Sequence, residues 1–193
     1  MNKHQIHPKK EFESIRHIVE YAAKAYGNKT AFSYRLKPTD KEKVCVSYVE
    51  FRDDVRSLAS EMLSRGMKGK HIVVVAKMSY DFVVTYYATL LIGAVLVPLD
   101  RDWQSEDLAE TCVKAEVKYI ISDYDIAQKA SFISAKLALD APVVYIGAPE
   151  GTENRIEALI EEGKSIFAAS PKCYFDAPID PLGMSLLVFT SGT

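Results

Sequence analysis

The feature that most constrains the fold is a series of short apolar runs separated by segments of helical period. His71–Ala76, Val95–Leu99, Val117–Ser122 and Val143–Ile146 are too short for stable helices and carry apolar residues on successive positions rather than alternate ones. A strand that is apolar on both sides is buried on both faces, as in a parallel sheet. The intervening segments repeat apolar residues every three or four positions, which is the period of a helix. Alternation of this kind predicts βαβ units and an α/β fold, with a mostly parallel sheet flanked by helices.

The local signals fill in the order. Ile15, Ile18, Val19, Ala22, Ala23 and Tyr26 share one helical face, and Gly27 follows as a stop. Thr30–Leu36 and Lys43–Tyr48 read as strands joined by the polar turn 37–40. Ser47 and Glu50 form a capping-box pattern that opens a helix burying Phe51, Val55, Leu58, Ala59, Met62 and Leu63 and ending at Gly66. Ser79 caps a deeply buried helix over Tyr80–Ile92, with Asp81 at its positive end. Helices are expected over Ser105–Ala115 and Asp125–Leu139, and a short one near Ile156–Ile160. Gly163–Pro181 reads as the most loop-like region, and Ser185–Phe189 as the last strand.

Composition narrows the function classes. The 193 residues carry 26 acidic and 24 basic side chains, a net charge of -2, which does not suit a nucleic-acid partner. Three cysteines, Cys45, Cys112 and Cys173, lie far apart with no CxxC pair, which reads as reduced thiols in a cytoplasmic protein. The stretch Val83–Val97 is broken by Thr85, Thr89 and Gly93 and bounded by Asp81 and Asp100, so it reads as a buried helix and strand, not a transmembrane segment. Met1–Gln5 is polar and does not read as a signal peptide, and residues 1–13 read as a flexible tail.

The segment Leu186–Thr193 is the sharpest motif. An apolar strand runs into Thr190, Ser191, Gly192 and Thr193, small hydroxyl residues around a glycine. Glycine lets a backbone approach a phosphate, and hydroxyl and N–H groups donate to it. On these residues alone, a polar turn after a strand fits as well. The segment lacks the Gly-Lys-Ser/Thr of a Walker A loop. His4 and His7 have a metal-like spacing but no further ligands nearby. Tyr80, Tyr86 and Tyr87 read as core, and Asp100, Asp102, Glu106 and Asp107 as a solvated loop and helix start.

Three blocks together resemble the adenylate-forming, AMP-binding superfamily. Leu186–Thr193 resembles the first half of its signature loop, Val46–Phe51 its early T-Y-x-E-L block, and Leu90–Asp100 its G-A-x-x-V-P-L block. The resemblance extends from about Ile15 to Thr193, and within the superfamily Ser79–Asp100 looks most like bacterial long-chain fatty-acid CoA ligases. It implies the N-terminal portion of the large domain of an acyl-CoA synthetase. Such enzymes join a carboxylic acid to ATP as an acyl-adenylate, release pyrophosphate and pass the acyl group to coenzyme A. Thr190, Ser191, Gly192 and Thr193 would then bind ATP phosphate, with Mg2+ assisting. The superfamily's loop continues to a second glycine and a lysine beyond these residues, so the chain is expected to be inactive and nucleotide-free by itself, and prone to self-association. The Asp after Pro98-Leu99 also occurs in peptide-synthetase adenylation domains, which keeps that class open. Other classes are a stand-alone α/β binding module and an unrelated nucleotide enzyme, for which no second catalytic constellation is visible.

Overall fold

The computed structural model describes residues 10–37 and 39–190. Most of the expected tail, with His4 and His7, lies outside the described residues, as does Pro38 of the expected turn. Phe12 packs edge-on against His17, with ring centroids 5.5 Å apart.

The first helix, α1 (Ile15–Tyr26), starts where the Ser14 hydroxyl accepts from the His17 N–H and stops at Gly27, whose φ is +55°. An antiparallel hairpin follows, β1 (Thr30–Tyr34) and β2 (Val44–Ser47). Asp40 closes its turn by accepting the Lys37 N–H at 2.9 Å. Both halves of the capping box form at the start of α2 (Tyr48–Ser64): Glu50 N–H donates to the Ser47 hydroxyl and Ser47 N–H donates to the Glu50 carboxylate. The remaining elements are β3 (His71–Val75), α3 (Tyr80–Leu91), β4 (Val95–Pro98), α4 (Ser105–Lys114), β5 (Tyr119–Asp123), α5 (Ala127–Leu137), β6 (Val144–Ile146), α6 (Ile156–Ala169) and α7 (Pro171–Phe175).

Strands β3 to β6 form one parallel sheet in the order β4-β3-β5-β6. The uninterrupted apolar runs explain its two covered faces. Ile72 and Val74 join a core built with α2, α3 and α6, whereas Val73 and Val75 join a second core built with α4 and α5. Val55, Leu58 and Met62 of α2 are fully buried, each contributing about 1.5–3 kcal/mol relative to exposure.

Two expectations need correction. Gly163–Pro181 is not mainly loop: α6 continues to Ala169, and α7 begins at Pro171. Gly163 does not end its helix, because it stands where α6 meets the backbone of α2 and only a glycine fits there. Pro171 fits the first helical position because its missing N–H would be unpaired there anyway. Ser185–Phe189 is extended but makes only one isolated parallel bridge, Leu96 to Leu186. Two hydrogen bonds flank it, Leu96 N–H to Ser185 O and Leu187 N–H to Leu96 O, and no ladder forms beyond them.

Candidate functional site

In open parallel sheets, ligands sit beyond the carboxyl ends of the strands, where connections leave to opposite sides. Here that point lies between β3 and β5, since β4 pairs on one side of β3 and β5 on the other. A crevice of about 290 Å³ opens there, lined by Lys77, Ser79, Asp81, Asp123, Tyr124, Asp125, Ile146 and Gly147.

A charged network ties the loops around it. Asp123, the buried last residue of β5, accepts the Lys77 backbone N–H at 2.8 Å and pairs with Arg101. The other arm of Arg101 reaches Asp125 at 3.0 Å, and Lys77 Nζ reaches the same carboxylate at 2.9 Å. Hydrogen bonds from Arg101 and then Lys77 hold the Asp125 carboxyl below its usual range, and those to Asp125 and Asp123 hold the Arg101 guanidinium above its own. Lys129 Nζ donates to the carbonyls of Arg101 and Trp103 at 2.9 and 2.8 Å, which fixes the loop after β4 on α5. The loops leaving β3, β4 and β5 thus share one set of mutually neutralised charges, a rigid rim rather than an acid–base pair.

Asp81 differs. Burial, then the charges of Glu157 and Asp54, push its carboxyl up to about 6. In the same first turn of α3, Tyr80 donates its hydroxyl to Asp54 at 2.7 Å and stacks on Tyr34. Tyr80 is therefore both core and polar anchor, where sequence reasoning gave it only the first role.

Of the four residues expected to meet phosphate, the structure describes Thr190, which is exposed. The parallel bridge at Leu186 directs the chain toward the carboxyl end of the sheet, with Leu187 and Phe189 packed on the second core. Ser191, Gly192 and Thr193 lie outside the described residues. Among the described residues no group of three or more His, Cys, Asp or Glu side chains could hold a metal, so none is assigned to Mg2+. Likewise, no helix among them is long and apolar enough to cross a membrane.

Sequence reasoning missed Lys77, Arg101, Asp123 and Asp125. The available signal was position: each lies just past the end of an apolar run, where a parallel sheet gathers its functional loops.

A four-stranded parallel sheet covered by helices on both faces matches the N-terminal region of adenylate-forming enzymes. The chain belongs to the AMP-binding enzyme family, whose model matches residues 19–193. It is 24% identical over 149 residues to a putative acyl–CoA ligase of Bacillus subtilis, covering 77% of this chain and 28% of that protein. It is 21% identical over 159 residues to a dapdiamide synthesis protein of Enterobacter agglomerans, covering 79% of this chain and 26% of the relative. In structure it is similar to a long-chain-fatty-acid-CoA ligase from Archaeoglobus fulgidus, with a TM-score of 0.69 and 23% identity over 83% of this chain and 33% of the ligase. It is also similar to the A-PCP didomain of a carboxylic acid reductase from Segniliparus rugosus in complex with AMP, with a TM-score of 0.70 and 16% identity over 95% of this chain and 31% of that one. The chain therefore spans between a quarter and a third of the length of these proteins.

Proposed function

We propose that these residues form the N-terminal part of the AMP-binding domain of a cytoplasmic, ATP-dependent acid–thiol ligase. The reaction joins a carboxylic acid, a fatty acid in the first instance, to AMP with loss of pyrophosphate, and transfers the acyl group to coenzyme A. The observation that carries this reading is the family match running through residue 193, on a sheet whose edge strand β4 bridges to the segment that leads to Thr190. Thr190, Ser191, Gly192 and Thr193 bind the ATP phosphates through hydroxyl and backbone N–H groups, which stabilise charge that grows on the leaving phosphates. Bound Mg2+ would neutralise part of that charge.

The long-chain-fatty-acid-CoA ligase fold supports the fatty-acid assignment. A second reading, an adenylation domain serving a peptide synthetase, rests on 25% identity over 150 residues to a dimodular nonribosomal peptide synthase of Bacillus subtilis. ATP–pyrophosphate exchange by a polypeptide carrying the whole domain, with fatty acids and amino acids as substrates, separates the two. Exchange with fatty acids and subsequent acyl-CoA formation supports the first. Exchange only with amino acids overturns it in favour of the second. Residues 1–193 alone are expected to show no exchange above a protein-free blank, because the relatives in which this region is found are roughly two and a half to three times this length.

A further inference from the structure

The segment 185–190 leaves the sheet beside the loop that follows β4. Leu186 bridges Leu96 in parallel register. Past the bridge, Leu187 and Phe189 pack on the same core as Val97 and Leu99 of β4. Alternate side chains of both segments thus face one way, and the two chains stay in step. One residue beyond Phe189, the same register brings Thr190 to the level of Asp100, where the loop 100–103 begins. That loop is held from several sides. Asp102 N–H donates to the Asp100 carboxylate at 2.9 Å, which closes a tight turn. The Arg101 side chain is tied to Asp123 and Asp125. The Trp103 ring packs on the second core, as Leu187 and Phe189 do. Lys129 clasps the loop from below, with Nζ donating to the carbonyls of Arg101 and Trp103 at 2.9 and 2.8 Å. Lys129 is the third residue of α5, in the first turn, where the helix dipole disfavours a cation. Helix stability does not explain a lysine there; the two carbonyls do.

We propose that Lys129 is a positioning residue for the phosphate loop. By holding the loop 100–103 on α5 it sets where Thr190 leaves the sheet, and through Thr190 the backbone that meets the ATP phosphates. The inference rests on the phosphate-binding reading of Thr190 given above. Lys129 acts through main chain rather than on the nucleotide. Donors that stabilise growing phosphate charge work only when they are already in place, and a misplacement of about 1 Å costs up to about a hundredfold in rate.

Lys129→Met in a polypeptide carrying the whole domain tests it, with two readouts. In pyrophosphate exchange, kcat/KM for ATP should fall about ten- to a hundredfold, with a raised KM for ATP and an unchanged KM for the acid. A purely structural loss would lower the active fraction and leave both KM values alone. Lys136→Met, in the last turn of the same helix, should change neither. Hydrogen exchange read by mass spectrometry needs no nucleotide: peptides spanning 99–104 and 185–190 should exchange faster in Lys129→Met, and one spanning β3 should not. An unchanged KM for ATP overturns the proposal. Gly192→Val, measured alongside, separates the two failures: if it still lowers exchange, the phosphate-loop reading stands and only the role of Lys129 falls, and if neither variant lowers exchange, both fall. Unchanged exchange of the 185–190 peptide overturns the proposal by itself, whichever acid the enzyme activates.

Discussion

Gly163 on α6 and Ser57 on α2 meet main chain to main chain. A Cβ at Gly163 would lie 1.9 Å from the Ser57 carbonyl oxygen, with no flexible side chain in between to give way. The Ser57 hydroxyl is turned back onto the Asp53 carbonyl at 2.7 Å, out of the contact. The two helices can therefore approach only as closely as the missing side chain allows.

Gly163→Ala should force α6 off α2. Overpacking a tight site costs about 1–3 kcal/mol and more where backbone must move, so a loss of about 3 kcal/mol is expected. Urea unfolding with an unchanged m-value would measure it. A loss under about 0.5 kcal/mol, the range of ordinary surface changes, would show that the helices separate freely.

The pH dependence follows from Asp81. Its carboxyl is pushed up to about 6 in the folded chain, above the ordinary unfolded value of about 3.9. The folded state thus holds the proton more tightly, and stability rises as pH falls through about 6. Asp54, also raised chiefly by burial, adds in the same direction. Asp81→Asn should stabilise the chain at pH 8 by on the order of 1–2 kcal/mol, and the advantage should shrink by pH 5. Thermal melts of both forms across that range are the measurement. A constant gap between them would mean that Asp81 does not titrate there.

Arg16 ties the segment after α7 to the body. Its guanidinium donates to the carbonyls of Phe175, Leu91 and Ala177 at 2.7, 2.8 and 2.8 Å and lies 5.0 Å from the centroid of the Tyr174 ring. Hydrogen bonds from charged donors are worth about 1.5–3 kcal/mol each when a buried partner is left unpaired. Arg16→Met should cost at least about 2 kcal/mol and expose residues 176–190 to limited proteolysis first. Arg16→Lys should recover little, because a compact ammonium does not reproduce the planar fork whose two ends reach these carbonyls. Full recovery by lysine would reduce the contact to charge alone.

In a polypeptide carrying the whole domain, Gly192→Val should lower the pyrophosphate-exchange rate by about a hundredfold or more, the range for losing a charge-stabilising donor. The KM for the acid should change little. An equal effect on acid binding would remove Gly192 from the phosphate loop.

The α/β class and most elements were legible because burial on both strand faces writes an unbroken apolar run, as in Ile72–Val75, and because caps such as Ser47 with Glu50 act locally. Gly163 misled because a glycine required by a neighbouring helix looks in sequence like one that ends a helix. Ser185–Phe189 misled in another way. Its apolar run matches a buried strand, yet strand pairing depends on partners, and the described residues supply one side only. The rim formed by Lys77, Arg101, Asp123 and Asp125 was hidden because its members are up to 48 residues apart and only the sheet order brings them together.

The long reach of the α2 and α1 contacts has a consequence on the ribosome. Arg16 waits for Ala177, 161 residues later, and α2 waits for α6, about a hundred residues on. At about 5–20 residues per second, the intervening hundred or more residues take on the order of ten seconds to synthesise. Through that interval the apolar flank of α2 facing α6 is made but uncovered. The flank of α2 that meets α6 therefore stays uncovered until the segment around Gly163 has been made.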